Sequence, residues 1–158
     1  MLAQLIESWG SLYANHAALR TAIEFAHIGG LVAGGGCAMT ADLATIKAAR
    51  EGAAARATHL DLLKRTHLLI VVGLVALFVS GLLLFVTDVE TFWYSRIFWL
   101  KMALIVLLLV NGGLLMLVER QASRGDARAW ARLHYTATTS LVLWFLTTLA
   151  GAALPNLG

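Results

Sequence analysis

The sequence predicts an all-α integral membrane protein, folded as a four-helix up-down bundle. Of its 158 residues, 59% are hydrophobic and only 13% are charged, whereas a soluble domain carries about 25% charged residues. The apolar residues are concentrated in four long blocks, as expected of segments whose solvent is lipid. Most Lys and Arg residues lie between those blocks, in stretches 47–65 and 120–132. These observations predict a single transmembrane domain over residues 1–158.

Each apolar block is long enough to form one transmembrane helix. Crossing ~30 Å of hydrocarbon takes about 20 helical residues. The predicted spans are residues 21–41, 68–87, 97–118 and 133–154. The single proline, Pro155, follows the last of them, so no span is predicted to carry a proline kink.

The two basic stretches set the predicted direction of the helices. Loops rich in Lys and Arg stay in the cytoplasm, so 47–65 and 120–132 are predicted to be cytoplasmic. The loop between the second and third spans carries Asp88 and Glu90 beside aromatic residues, which favour the headgroup layer. The prediction is a multi-pass protein of the bacterial inner membrane with both termini periplasmic. These loops explain the net charge of +3, so the lipid bilayer is an expected partner and nucleic acid is not.

Two further segments are predicted to be helical without crossing the membrane. Apolar residues recur at helical spacing from Leu2 to Tyr13, which favours a short helix lying in the interface. Residues 44–57 are rich in Ala, Lys, Arg and Glu, which predicts a soluble cytoplasmic helix between the first two spans. His16 and His59 fall outside the predicted spans, and both are expected to be solvated.

The first span carries a stripe of small residues. Gly30, Gly34 and Ala41 align with His27 along one face of the helix. Because membrane helices approach one another closely through small residues, one hypothesis is a contact with another helix. The other hypothesis is that the missing side chains leave room for a flat ligand such as a porphyrin.

Polar residues inside the spans are candidates for a site, because ionisable side chains are costly at membrane depth. Glu24 and Lys101 enter from the periplasmic side at similar depth, which predicts an ion pair, with Arg20 as the competing partner of Glu24. Alternatively, Lys101 snorkels to the interface. Asn111 in the third span needs a hydrogen-bond partner. The fourth span offers Thr136, Thr138, Thr139 and Ser140.

Three histidines are candidate ligands of a haem iron. His67 and His134 lie at the cytoplasmic ends of the second and fourth spans, which face each other across an up-down bundle. One hypothesis is that they hold a b-type haem from both sides, and the other is that both are ordinary interfacial residues. His27 is the candidate ligand of a second, outer haem with Met102 opposite, or a quinone contact.

Short motifs between residues 20 and 120 support a family resemblance. They are Glu24-Phe-Ala-His27, Asp42-Leu43, Ser80-Gly81-Leu-Leu-Leu-Phe85, and Phe98-Trp99-Leu100-Lys101-Met102 with Asn111 downstream. In these motifs the chain resembles a set of uncharacterised four-helix bacterial inner-membrane proteins. More distantly, it is similar to the copper-resistance CopD domain and to cytochrome b561-like proteins. The last similarity implies haem held by histidines on different helices, for which only His27, His67 and His134 are available, one too few for two bis-His sites.

The leading functional hypothesis is a small b-type haem protein for transmembrane or quinol-linked electron transfer. Such a protein is a redox carrier rather than a complete enzyme. The first alternative is a non-catalytic membrane subunit or assembly factor of a larger complex. The second is a transporter or channel with a path lined by Glu24, His27 and Lys101. Because four short helices with few embedded charges are small for a complete transporter, that alternative needs a homo-oligomer.

Overall fold

The computed structural model describes residues 1–51 and 53–157, without the side chains of residues 2, 3, 53, 54, 61, 62, 64 and 157. The described ranges contain helices joined by short turns and no strand, so the all-α prediction is confirmed. In chain order they are α1 (Leu2–Asn15), α2 (Ala17–Gly30), a π-helical turn (Leu31–Gly35), α3 (Gly36–Arg50), α4 (Ala53–Thr87), α5 (Val89–Tyr94), α6 (Arg96–Ser123) and α7 (Ala127–Leu157).

Four of these helical stretches are long and apolar enough to cross a membrane. The first consists of α2, the π-helical turn and α3, which run on without a break because Leu31 and Gly36 both keep helical backbone angles. The other three are α4, α6 and α7. Each predicted span lies inside one of them, which confirms a multi-pass membrane protein. The inner membrane and the periplasmic termini stay predictions.

The two basic stretches meet at one end of the structure, called here the basic end. The Arg56 guanidinium of α4 lies over the Trp130 ring of α7, 5.0 Å from its centroid. At the opposite end, called the terminal end, α1 packs against α4, and Trp9 Nε1 donates a hydrogen bond to the Leu83 carbonyl at 3.1 Å. The first long helix packs against both α4 and α7, and α6 packs against α7. That α1 is a helix is confirmed, whereas its place in the membrane interface stays a prediction.

The glycine stripe of the first long helix is a helix–helix contact. A Cβ built on Gly34 would lie 2.9 Å from Gly73 Cα, and one built on Gly30 would lie 2.9 Å from the Gly73 carbonyl oxygen. Real Cβ atoms essentially never come that close to other heavy atoms. The backbone of α4 therefore occupies the space that a porphyrin would need beside Gly30 and Gly34, and the contact hypothesis is confirmed there.

The predicted separate helix over 44–57 is wrong, because the chain reverses inside it. Glu51 is extended, with φ −97° and ψ 175°, so that residues 44–50 end α3 and residues 53–57 begin α4. The last carbonyl groups of a helix have no partner within it. Arg56 of α4 donates to two of them, Ala48 O at 3.4 Å and Ala49 O at 3.0 Å. This contact requires α4 to fold back immediately, which composition alone does not reveal.

At the terminal end, aromatic rings join α4 to α6. The Phe85 and Phe98 rings are stacked with centroids 5.2 Å apart, and Phe92 of α5 packs against both. Two short polar side chains begin the helices of this loop, since Asp88 accepts from the Thr91 amide and Ser95 accepts from the Phe98 amide.

Candidate functional site

His27 lies in α2, in the half of the structure nearer the terminal end, and is half-buried. Its Nδ1 is 3.0 Å from Ser80 Oγ on α4. The Ser80 hydroxyl donates its own proton to the Ala76 carbonyl at 2.6 Å, so Ser80 accepts from the His27 Nδ1–H group. Gly81 makes room for the ring, because a Cβ there would lie 3.3 Å from His27 Cε1. In the neutral ring, Nε2 therefore keeps its lone pair for another partner.

Lys101 lies at the same end, near the start of α6, and is half-buried. A Cβ built on Gly151 of α7 would lie 3.6 Å from Lys101 Nζ, so the ammonium packs against the bare backbone of α7. His27 thus lies between α2 and α4, and Lys101 lies between α6 and α7, both in the half of the structure nearer the terminal end.

Glu24 does not form the predicted ion pair with Lys101 or the competing pair with Arg20 among the side chains described. The exposed Glu24 carboxylate instead accepts a hydrogen bond from Tyr13 of α1, at 3.0 Å. Arg20 donates to the Ala14 carbonyl at 3.3 Å. Burial raises the pKa of Tyr13, and so do the hydrogen bond and the charge of Glu24, because each favours the neutral phenol. The docking of α1, which the sequence does not reveal, gives Glu24 this partner.

Asn111 finds its partner on the predicted helix. It is buried in α6, and its Nδ2 donates to the backbone carbonyl of Thr136 in α7 at 3.0 Å. The Thr136 hydroxyl bonds within its own helix, to the carbonyls of Arg132 and Leu133. The contact joins α6 to α7, as expected of a packing role. Met102 is half-buried on α6, and its role as a ligand stays a prediction.

His134 lies at the basic end, in a groove of about 320 Å³. The groove also contains Arg50, Arg56, Trp130 and Tyr135. The His134 ring meets Tyr135 edge-on, with centroids 5.8 Å apart, and its Nδ1 is buried without a hydrogen-bond partner. Two arginines and the His134 ring therefore line one opening between α3, α4 and α7, whereas the unpartnered Nδ1 atom is itself buried.

His67 is exposed on α4 and does not lie at the same depth as His134. The contact between Arg56 of α4 and Trp130 of α7 places these two residues at about the same distance from the basic end. His67 follows Arg56 by eleven residues, whereas His134 follows Trp130 by four. At about 1.5 Å per residue, His67 lies roughly 10 Å farther from the basic end. As placed, the two rings do not fit both faces of one haem, and bis-His ligation stays a prediction.

A buried polar cluster that sequence reasoning missed lies between α3, α4 and α7. Asp42 is only 5% exposed and lies beside Ser140 of α7, and its Oδ2 oxygen has no hydrogen-bond partner. One turn along α3, Thr45 Oγ1 lies 2.8 Å from His59 Nε2. In the sequence, the one indication of this cluster was helical spacing: Thr45 lies on the same helix face as the small residues Gly34 and Ala41.

The expectation that His59 is solvated is wrong, since the residue is 5% exposed. The chain reversal after α3 lays the first turns of α4 against α3, and His59 is covered there. Its Nδ1 has no hydrogen-bond partner. His16 is exposed as expected.

A groove of about 800 Å³ lies at the terminal end between α1 and α5. It is open, and it holds none of the site residues predicted from the sequence. The chemistry-bearing side chains are instead concentrated around His27 and around Asp42. No protein-family model, curated protein or solved structure matches the chain. The family resemblance noted from the motifs stays a prediction.

Proposed function

We propose that the protein is a quinone-binding membrane subunit of a larger redox complex, with its quinone site around His27 and Lys101. The observation that carries this proposal is the fixed His27 ring, held through Nδ1 by Ser80, with the Lys101 ammonium packed on α7 at the same end of the structure. Both residues lie in helices long enough to cross the bilayer, in which quinones dissolve.

The two side chains suit the polar ends of a quinone. A quinone carbonyl oxygen accepts hydrogen bonds, and Lys101 offers only donors. The quinol hydroxyl group is a donor, and the His27 Nε2 lone pair accepts from it. Reduction of the quinone takes up two electrons and two protons, and under this proposal the electrons come from a redox centre in a partner subunit. Lys101 favours the negative charge that develops on the oxygen during reduction.

Haem is a competing cofactor, favoured by one observation. The His134 ring shares a groove with Arg50 and Arg56, and arginines bind carboxylates such as haem propionates well. The offset of His67 from His134 argues against ligation by that pair. A purified protein with a Soret band that is lost in both His67→Ala and His134→Ala would reinstate the bis-His haem protein.

The quinone site is tested by calorimetric titration of the purified protein in detergent with a short-chain ubiquinone. A hydrogen bond that involves a charged group contributes about 1.5–3 kcal/mol, which corresponds to roughly 10–100-fold in Kd. We expect Lys101→Ala and His27→Ala each to weaken binding by at least about tenfold. The matched controls are Lys47→Ala and His16→Ala, both on exposed side chains, and they should bind as the wild type does. Absence of saturable binding to the wild type, or equal loss in the controls, would overturn the proposal.

A further inference from the structure

Asp42 is an ionisable side chain buried within the first long helix. Only 5% of its surface is exposed, and the helix that contains it is one of the four that can cross a membrane. The carboxylate lies beside Ser140 of α7, and its Oδ2 oxygen has no hydrogen-bond partner. A buried acceptor without a partner is rare in folded proteins and calls for a physical explanation.

His59 provides a second buried group with an unused atom in the same cluster. The Thr45 hydroxyl, one turn from Asp42, lies 2.8 Å from His59 Nε2 and 2.8 Å from the Ala41 carbonyl. The single Thr45 proton can serve only one of these partners. Whichever tautomer results, the other ring nitrogen, Nδ1, is left without a partner. Two ionisable side chains on different helices thus each keep an unpaired atom within about one helical turn of Thr45.

An ionised Asp42 is poorly compensated in this position. An isolated buried carboxylate is costly unless it is paired with a cation or is well hydrogen-bonded, and here one oxygen has no partner at all. Arg56, a nearby cation, is held by the carbonyls of Ala48 and Ala49. A metal ion would need several ligands arranged around it, and the described residues contain no group of three or more His, Cys, Asp or Glu side chains that could hold one. A proton needs only the carboxylate itself.

We propose that Asp42 is a reversible proton-binding site within the membrane, and that His59 carries the proton between Asp42 and the basic end. In the loading step, one proton from water at the basic end passes to His59 and then forms the O–H bond on Oδ2. Unloading reverses both transfers, and no electron moves. His59 suits this role because it lies beside Thr45, which is one turn nearer the basic end than Asp42. The site is separate from the quinone region, and its proposal does not depend on quinone binding.

Several charged and titratable groups lie on the elements that pack against Asp42 at this end. On α4 and α7 they include His59 and His134, both with an unpartnered Nδ1. The remaining charged side chains that the structure describes there are Lys47, Arg50 and Glu51 from the C-terminal end of α3, Arg56 and Arg65 from α4, and Arg128 and Arg132 from α7. The charged side chains at this end are therefore mostly cations.

The proton site is tested by dicyclohexylcarbodiimide labelling of the full chain in detergent, read by peptide mass spectrometry. This reagent takes the proton of a carboxylic acid in apolar surroundings and forms a stable acylurea on it. We expect labelling of Asp42 with a yield that falls as pH rises, and no label at that position in Asp42→Asn. The exposed Asp88, which caps α5, is the internal control and should stay unlabelled. The wild-type result stands even if the variant folds poorly.

Two outcomes would overturn the assignment of a proton to Asp42. One is an unlabelled or pH-independent Asp42, and the other is protection of Asp42 by sodium ions at constant pH, which would indicate a sodium site. The carrier role of His59 is tested by an infrared pH jump on the protonated Asp42 carbonyl band, identified by its absence in Asp42→Asn. We expect His59→Gln to slow the appearance of that band at least about tenfold, and an unchanged rate would remove His59 from the proposal.

Discussion

Replacement of Gly34 by alanine tests the close crossing between the first long helix and α4. The added Cβ would lie 2.9 Å from Cα and carbonyl C of Gly73, whereas ordinary contacts lie at 3.4–4 Å. Both neighbouring atoms belong to backbone and cannot rotate away, so the two helices must separate by about 0.5 Å or more, and overpacking of this kind costs about 1–3 kcal/mol. The same substitution removes a glycine from a helix, which stabilises the helix by about 1 kcal/mol.

Gly36→Ala is the matched control, because it has the same change in helix propensity without the clash. Gly36 lies two residues away, and a Cβ there would have nothing within 4 Å. The propensity terms cancel when the two variants are compared, so the difference in their free energies of unfolding isolates the crossing contact. We expect Gly34→Ala to be less stable than Gly36→Ala by about 1–3 kcal/mol, with Gly36→Ala at or slightly above the wild type.

Unfolding in mixed micelles, by titration of sodium dodecyl sulfate and tryptophan fluorescence, measures this difference. Trp144 of α7, one of five tryptophans in the chain, packs against Gly35 beside this crossing, where a Cβ would lie 3.0 Å from its ring. Gly73→Ala introduces the same clash from the α4 side, and it should change the free energy of unfolding in the same direction as Gly34→Ala. If Gly34→Ala and Gly36→Ala unfold at the same detergent composition, the two backbones do not meet as described.

Two further predictions concern the contacts of single polar side chains. Asn111→Leu should lower the free energy of unfolding by about 0.5–1.5 kcal/mol, because it removes the bond to the Thr136 carbonyl; Asn156→Leu, at an exposed position, should leave it unchanged in the same titration. The second concerns the raised pKa of Tyr13. Since the Glu24 charge opposes phenolate formation, Glu24→Gln should shift the ultraviolet titration of Tyr13 to lower pH, and an unshifted curve would contradict the bond between them.

The sequence was sufficient to predict those contacts that depend on local composition or on a single polar residue placed in lipid. Asn111 is an example, since a buried amide in hydrocarbon must find a partner, and the adjacent helix in the chain was the nearest source. The glycine stripe also indicated a close contact, although it did not indicate that Gly73 lies opposite. Glu24 shows the limit of such reasoning, because its partner Tyr13 belongs to a helix whose docking on α4 is not visible in any local pattern.

The histidines show why depth estimated along the chain is a poor guide to contact. His67 and His134 lie at the ends of two predicted spans, yet α4 begins well before its apolar block. The contact between Arg56 and Trp130 places those two residues, rather than the two histidines, at the same distance from the basic end. His59 lies outside the apolar block and is nevertheless buried, because the turn after α3 folds α4 back against it.

The sequence by itself determined that this chain is helical, that it has four segments able to cross a membrane, and that its basic residues lie between them. Those properties follow from hydropathy and length, which are summed along the chain and need no knowledge of neighbours. Only the tertiary structure decided that Gly34 crosses Gly73, and that Asp42 lies buried beside Ser140 with one oxygen unpaired. Such contacts depend on the rotation, offset and crossing of helices, and these are set by packing among all four at once.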